Sequence, residues 1–138
     1  MESLIVLTES ERQLLQFCLP KINNNIDFLI SRFYFYFLKT NAGILFKHTK
    51  MGQQEKMFAS ALNAILTNIT NPGLLEDTLE EIIAKHRDYG VLQKHIEYFV
   101  DSFMKALKDI FNTENDQYIL NLWYKIISNI MGYFKDQI

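Results

Sequence analysis

Apolar residues along this 138-residue chain recur at helical spacing. The clearest run is Ile26, Leu29, Ile30, Phe33, Tyr34, Phe37 and Leu38, whose three- and four-residue steps place all of them on one side of an α-helix. Tyr36 falls off that stripe. Comparable stripes follow in Gln54, Met57, Phe58, Ala61, Leu62 and Ile65, and then in Leu75, Leu79, Ile82, Ile83 and His86. Ile96, Phe99, Val100, Phe103, Met104, Leu107, Ile110 and Phe111 make another, and Leu120, Trp123, Ile127, Ile130, Met131 and Phe134 the last. Start and stop signals divide them. Thr8-x-x-Glu11 reads as a capping box ahead of Leu14, Leu15, Phe17 and Cys18, with Pro20 as a break near the end of that segment. Asn23 to Asn25 read as a turn. Asn71-Pro72 opens a helix with Asn as cap and Pro in the first turn, Gly90 closes it, and Thr113-x-x-Asp116 caps the final one. Thr40-Asn41-Ala42-Gly43 interrupts the pattern, leaving Ile44, Leu45 and Phe46 as a short helical turn or packed corner, and Lys47 to Gly52 reads as a polar loop. The stripes are wide, so each helix must pack on several neighbours, as in a globular all-α fold.

Composition agrees. Five Gly and two Pro are few for a protein of many short strands, and 49% hydrophobic with 14% aromatic residues is too apolar for a disordered chain. The length suits a single domain over residues 1–138. Fourteen Lys and Arg against 16 Asp and Glu give a net charge of −2, which is not the balance of a nucleic-acid binder. No run approaches the roughly 20 apolar residues of a membrane-spanning helix, and the acidic start fits neither a signal nor a transit peptide. With Cys18 as sole cysteine, no intramolecular disulfide or cysteine zinc site can form. A soluble protein of a reducing compartment is expected, the bacterial cytoplasm or an organelle interior.

Three polar groups interrupt the apolar stripes. His86 is an imidazole between apolar neighbours, a setting in which a lone histidine is more often a hydrogen-bonded packing residue than a ligand, but one that also suits an axial ligand to haem iron. Tyr34 and Gln54 each place a hydrogen-bond donor on a separate helix, to serve a bound ligand or to bond to one another or to the backbone. His48, in the polar loop, and His95, beside Lys94, are expected to be exposed. Glu76, Asp77, Glu80 and Glu81 read as a solvated helix face rather than a metal site.

These residues resemble a globin, and more closely the globin domain of bacterial flavohaemoglobins and their single-domain relatives. Lys85-His86-Arg87-Asp88-Tyr89-Gly90-Val91, followed by Lys94-His95, resembles the family's segment around the proximal haem ligand. Phe33-Tyr34, Leu45-Phe46, Gly52-Gln53-Gln54 with Phe58, and Trp123 resemble other family positions in the same order. The resemblance implies a globin fold around haem b, with iron on His86 and cofactor contacts from Tyr34, Phe46, Gln54, Phe58, Lys85 and Val91. It also implies dioxygen, NO or CO as ligand.

The chain departs from the family in two places. The intervals from Tyr34 to Phe46 and from Phe46 to Gln54 are each slightly short, and the Pro expected between Tyr34 and Phe46 is missing, which leaves the direction of Gln54 open. On the proximal side, Ile96 stands where a Tyr is common and no late Glu is found, so the network that polarises the proximal imidazole is expected to be missing. That favours reversible ligand binding over redox turnover. The length leaves no room for the reductase domains of a flavohaemoglobin, so nitric-oxide dioxygenation, the enzyme alternative, would need a separate reductase. The other alternative is a haem-free globin-like sensor or interaction domain. Whether the chain is a monomer or a homodimer stays open.

Overall fold

Thr8 and Glu11 cap each other reciprocally. The Thr8 hydroxyl accepts from the Glu11 N–H at 3.1 Å and the Glu11 carboxylate from the Thr8 N–H at 2.9 Å, satisfying two donors that a helix start leaves over. In the computed structural model, which describes residues 4–87, 90–111 and 116–138, this box opens α1, Glu9–Asn24. There follow α2 (Ile26–Phe37), a 3-10 helix (Asn41–Phe46), α3 (Met51–Thr67), α4 (Pro72–His86), α5 (Gln93–Ile110) and α6 (Gln117–Gln137). The described residues contain no strand, and the fold is all-α. The most extensive helix pairing is α2 on α5, and α5 also packs on α6. α3 bridges α2 and α4, while α6 touches α1 and α4.

The boundaries differ from the sequence pattern where burial overrides local signals. Pro20 does not break α1, which continues to Asn24. A Pro inside a helix typically costs about 3 kcal/mol. Here its ring lies on the exposed side, while Cys18 and Ile22 are buried on either side of it and hold the helix together. Only Asn25 of the expected turn lies outside a helix, its side-chain amide donating to the Lys21 carbonyl at 2.7 Å. The 3-10 helix begins within the segment read as a breaker, and α3 begins at Met51 within the segment read as a loop. Asp116 precedes α6 without a side-chain cap, and Thr113 lies outside the described residues. Gly43 is required where it stands, because a Cβ there would fall on the Leu38 carbonyl oxygen as the corner doubles back on α2.

Three stripe residues face solvent. Leu15, Cys18 and Ile22 define the buried face of α1, which rotates Phe17 away to 77% exposure. Met57 and Leu38 are displaced in the same way from the buried faces of α3 and α2. At the centre of the α1–α6 contact, the buried Trp123 gives its indole N–H to Cys18 Sγ at 3.2 Å, so a donor that would be costly to leave unpaired is satisfied by the lone thiol. Lys125 reaches Glu11 at 2.8 Å and joins α6 to the capping box. This ion pair and the Thr8 N–H hold the Glu11 carboxyl below its ordinary pKa.

Because the box supplies the only side-chain cap at the start of α1, Thr8→Ala is expected to lower the unfolding free energy by about 1 kcal/mol in urea titrations at neutral pH. An unchanged midpoint would show that the cap carries no stability here.

Candidate functional site

Tyr34 lies on the inner face of α2 and is 5% exposed. Its ring meets Phe46 of the 3-10 helix at 5.8 Å and Phe58 of α3 at 5.9 Å, both near edge-on. Gln54, in the first turn of α3, donates through Nε2 to the Tyr34 hydroxyl oxygen at 3.0 Å. The structure thus brings Tyr34, Gln54, Phe46 and Phe58 together and settles the direction of Gln54 despite the short corner. This mutual bond is also the one that a purely structural pairing would make, but its polarity matters. Tyr34 accepts from Gln54, and no protein acceptor among the described residues takes the hydroxyl proton. Burial pushes the phenol pKa up to about 12, against the opposing pull of the Gln54 bond, so the proton is retained at neutral pH.

His86 closes α4. Its Nδ1 lies 2.7 Å from the Ile82 carbonyl oxygen one turn earlier, and Phe134 of α6 meets the ring edge-on with centroids 5.4 Å apart. A carbonyl only accepts, so Nδ1 carries a proton and donates in this contact. Orientation of an imidazole by a second group in this way is common among residues that bind a transition metal through the other ring nitrogen. Phe134 was legible as a stripe residue, but nothing in its spacing pointed to His86 as its partner. Lys85 is exposed on the same last turn, and Val91 packs half-buried against the core after Gly90 turns the chain at φ 71°, a conformation that favours glycine. Asp88 and Tyr89 of the same segment lie outside the described residues.

Around these groups the apolar faces are incompletely covered. Leu62 and Leu66 of α3 and Leu75, Leu79 and Ile83 of α4 are buried, whereas Phe58, Ile65 and Ile82 on the same helices are only half-buried, as are Phe46 and Val91. His95 corrects the expectation of exposure: it is 7% exposed, because the first turn of α5 packs against the 3-10 helix. Its Nδ1 accepts from the Leu92 N–H at 3.0 Å. His48 is exposed, as are Asp77, Glu80 and Glu81, with Glu76 partly so.

The globin family profile matches residues 30–134, a span that includes every one of these side chains. The chain belongs to the globin family. It is similar to a flavohemoprotein of Xylella fastidiosa, 29% identical over 85 residues, which cover 59% of this chain and 21% of that protein. A flavohemoprotein of Rhodopirellula baltica is 27% identical over 109 residues, 76% of this chain and 27% of that protein, and one of Rhizobium meliloti is 25% identical over 83 residues, 60% and 21%. The chain therefore spans only a minor part of the length of these relatives.

Burial, and after it the neighbouring Lys94, lower the pKa of His95 below the ordinary value of 6.5. Protonation would also put an N–H where Nδ1 now accepts one. As pH falls the unfolded chain takes up this proton first, so the group's stability is fully present above the ordinary imidazole pKa and declines below it. The unfolding free energy is expected to drop between about pH 7.5 and about pH 5.5, with a shallower slope in His95→Gln. Equal slopes in urea titrations of the two proteins would remove His95 from this dependence.

Proposed function

We propose that the chain is a haem globin that binds dioxygen, and other diatomic ligands such as NO and CO, reversibly on haem b. The observation that carries this reading is the buried Tyr34 phenol, which accepts from Gln54 and keeps its own proton with no protein acceptor among the described residues. The donor set fits the group. His86 brings an imidazole oriented through Nδ1, and the half-buried Phe46, Phe58, Ile82 and Val91, with the stem of Lys85, offer apolar contacts to a porphyrin. The iron of the haem, when bound, supplies reversible coordination of the diatomic ligand.

The chain's own part is positioning and polarity. The Ile82 carbonyl fixes the rotation and tautomer of His86, and the edge of Phe134 restricts the ring further. A carbonyl polarises imidazole less than a carboxylate would, which favours ligand binding over O–O cleavage. Tyr34 donates to the ligand, and the Gln54 N–H directed at its oxygen strengthens that donation. Such a hydrogen bond is worth about 1 to 2 kcal/mol and slows ligand escape. The surrounding phenyl rings exclude the water that would promote oxidation. Any redox turnover would draw electrons from a reductase.

Absorption spectra of the protein supplied with haem test this reading. A Soret band, a five-coordinate ferrous spectrum and reversible changes with dioxygen and CO are expected, with native ligation lost in His86→Ala and restored by added imidazole. Tyr34→Phe is expected to speed dioxygen release roughly five- to thirtyfold, and Gln54→Leu less. An unchanged rate in Tyr34→Phe takes that residue out of the mechanism, and a folded helical chain that takes up no haem overturns the reading.

A further inference from the structure

A groove of about 570 Å³ runs between α5 and α6, and none of Tyr34, Gln54 and His86 lines it. Val100 and Met104 of α5 and Met131 of α6 line it half-buried, and Tyr124 of α6 lines it at 58% exposure. Tyrosine and methionine are residue types that protein interfaces bury at their centres. Gly132 lines the same groove from inside α6, where glycine is less favourable than alanine. A Cβ there would meet nothing within 4 Å beyond its own helical neighbours, so the packing of this chain gives no reason for the missing side chain. The charges on this face carry both signs. Glu97 and Asp101 lie towards the start of α5, Lys105 and Lys108 towards its end, and all four are exposed. Asp101 pairs with Lys105 on its own helix, whereas Glu97 and Lys108 have no ion-pair partner among the described residues.

We propose that this face binds a second copy of the chain about a two-fold axis, with the two α5 helices antiparallel and each lying over the α5–α6 groove of the other. An isologous contact brings together residues placed symmetrically about the axis. With the axis at residues 102–103, Glu97 of one copy meets Lys108 of the other, Asp101 meets Lys105, Val100 meets Met104, and each pairing occurs twice. One register thus matches the two charges left unpaired within the chain and closes the apolar positions between them. Set parallel, or opposite a partner of a single charge sign, the same helix would put like charges face to face. The 18 and 21 residues of α5 and α6 make helices about 27 and 32 Å long and each about 10 Å across, a face on the order of 600 Å² per copy. That area is at the low end of specific interfaces and fits a reversible dimer rather than an obligate one. The inference does not depend on haem binding.

Sedimentation velocity on the full chain, haem-free and haem-loaded, from about 1 µM to about 1 mM tests the proposal. A monomer–dimer equilibrium with Kd on the order of 10 µM is expected in both forms. Glu97→Lys and Lys108→Glu are each expected to weaken association at least about tenfold with the helical circular dichroism unchanged, and the double variant to regain most of that loss, because its pairs are then reversed in sign. Gly132→Leu is expected to weaken association by a similar factor without lowering the urea midpoint of the dilute monomer, in which nothing stands before the new side chain. A chain that stays monomeric at about 1 mM, single variants that associate as the parent does, or a double variant no better than the singles would each overturn the proposal.

Discussion

Phe33 sits where α2, α3 and α5 meet, its ring 4.9 Å from Phe37, 5.0 Å from Phe58 and 4.8 Å from Phe99. These rings meet face to face, edge-on and tilted, and each such pair adds roughly 0.5 to 1.5 kcal/mol to the burial of the rings themselves. Phe103 extends the cluster along α5 and Phe46 closes it from the 3-10 corner. Outside it, Asp109 of α5 accepts from both Arg32 at 2.8 Å and Tyr36 at 2.7 Å, clasping the two helices at the surface. The rings set how far apart α2, α3 and α5 stand.

That spacing decides the site. Tyr34 follows Phe33 directly in the chain, so the packing that fixes Phe33 also fixes where the phenol projects, edge-on between Phe46 and Phe58. Gln54 reaches it from α3 because Phe58, one turn further on, is held against Phe33. A buried polar pair is tolerable when each member is satisfied, and here one proton remains over by geometry. At the other end of α4 the constraint is local: the ring of His86, the last residue of the helix, turns back by one turn onto the Ile82 carbonyl oxygen. The two groups are thus prepared by different means, one by tertiary aromatic packing and one by a helix terminus.

The start of α5 shows a third means. His95 does the work of a cap for Leu92, which turns a residue that sequence places next to Lys94, and so in water, into a buried one with a single donor left. The 3-10 corner covers the ring and at the same time exposes Ile44. Short-range spacing cannot foretell this, because it depends on a contact between segments about fifty residues apart in the chain.

Much of the architecture was legible in the residues themselves. Helical periodicity identified the helices and most of the core, since a stripe that must be buried repeats at the helix period whatever covers it. The capping box at Thr8 and the Asn71-Pro72 start are local hydrogen-bond chemistry and stand as read. The same periodicity marked His86, Tyr34 and Gln54 as polar groups on apolar faces. What it could not decide was the rotation of each helix by a fraction of a turn, which exposed Phe17 and Met57, or the survival of α1 through Pro20. Nor could it say whether Gln54 pointed at Tyr34, or which way that hydrogen bond ran. Those outcomes rest on contacts between helices, where the free energy of burying one face of a segment outweighs its local preferences, and only the tertiary structure contains them.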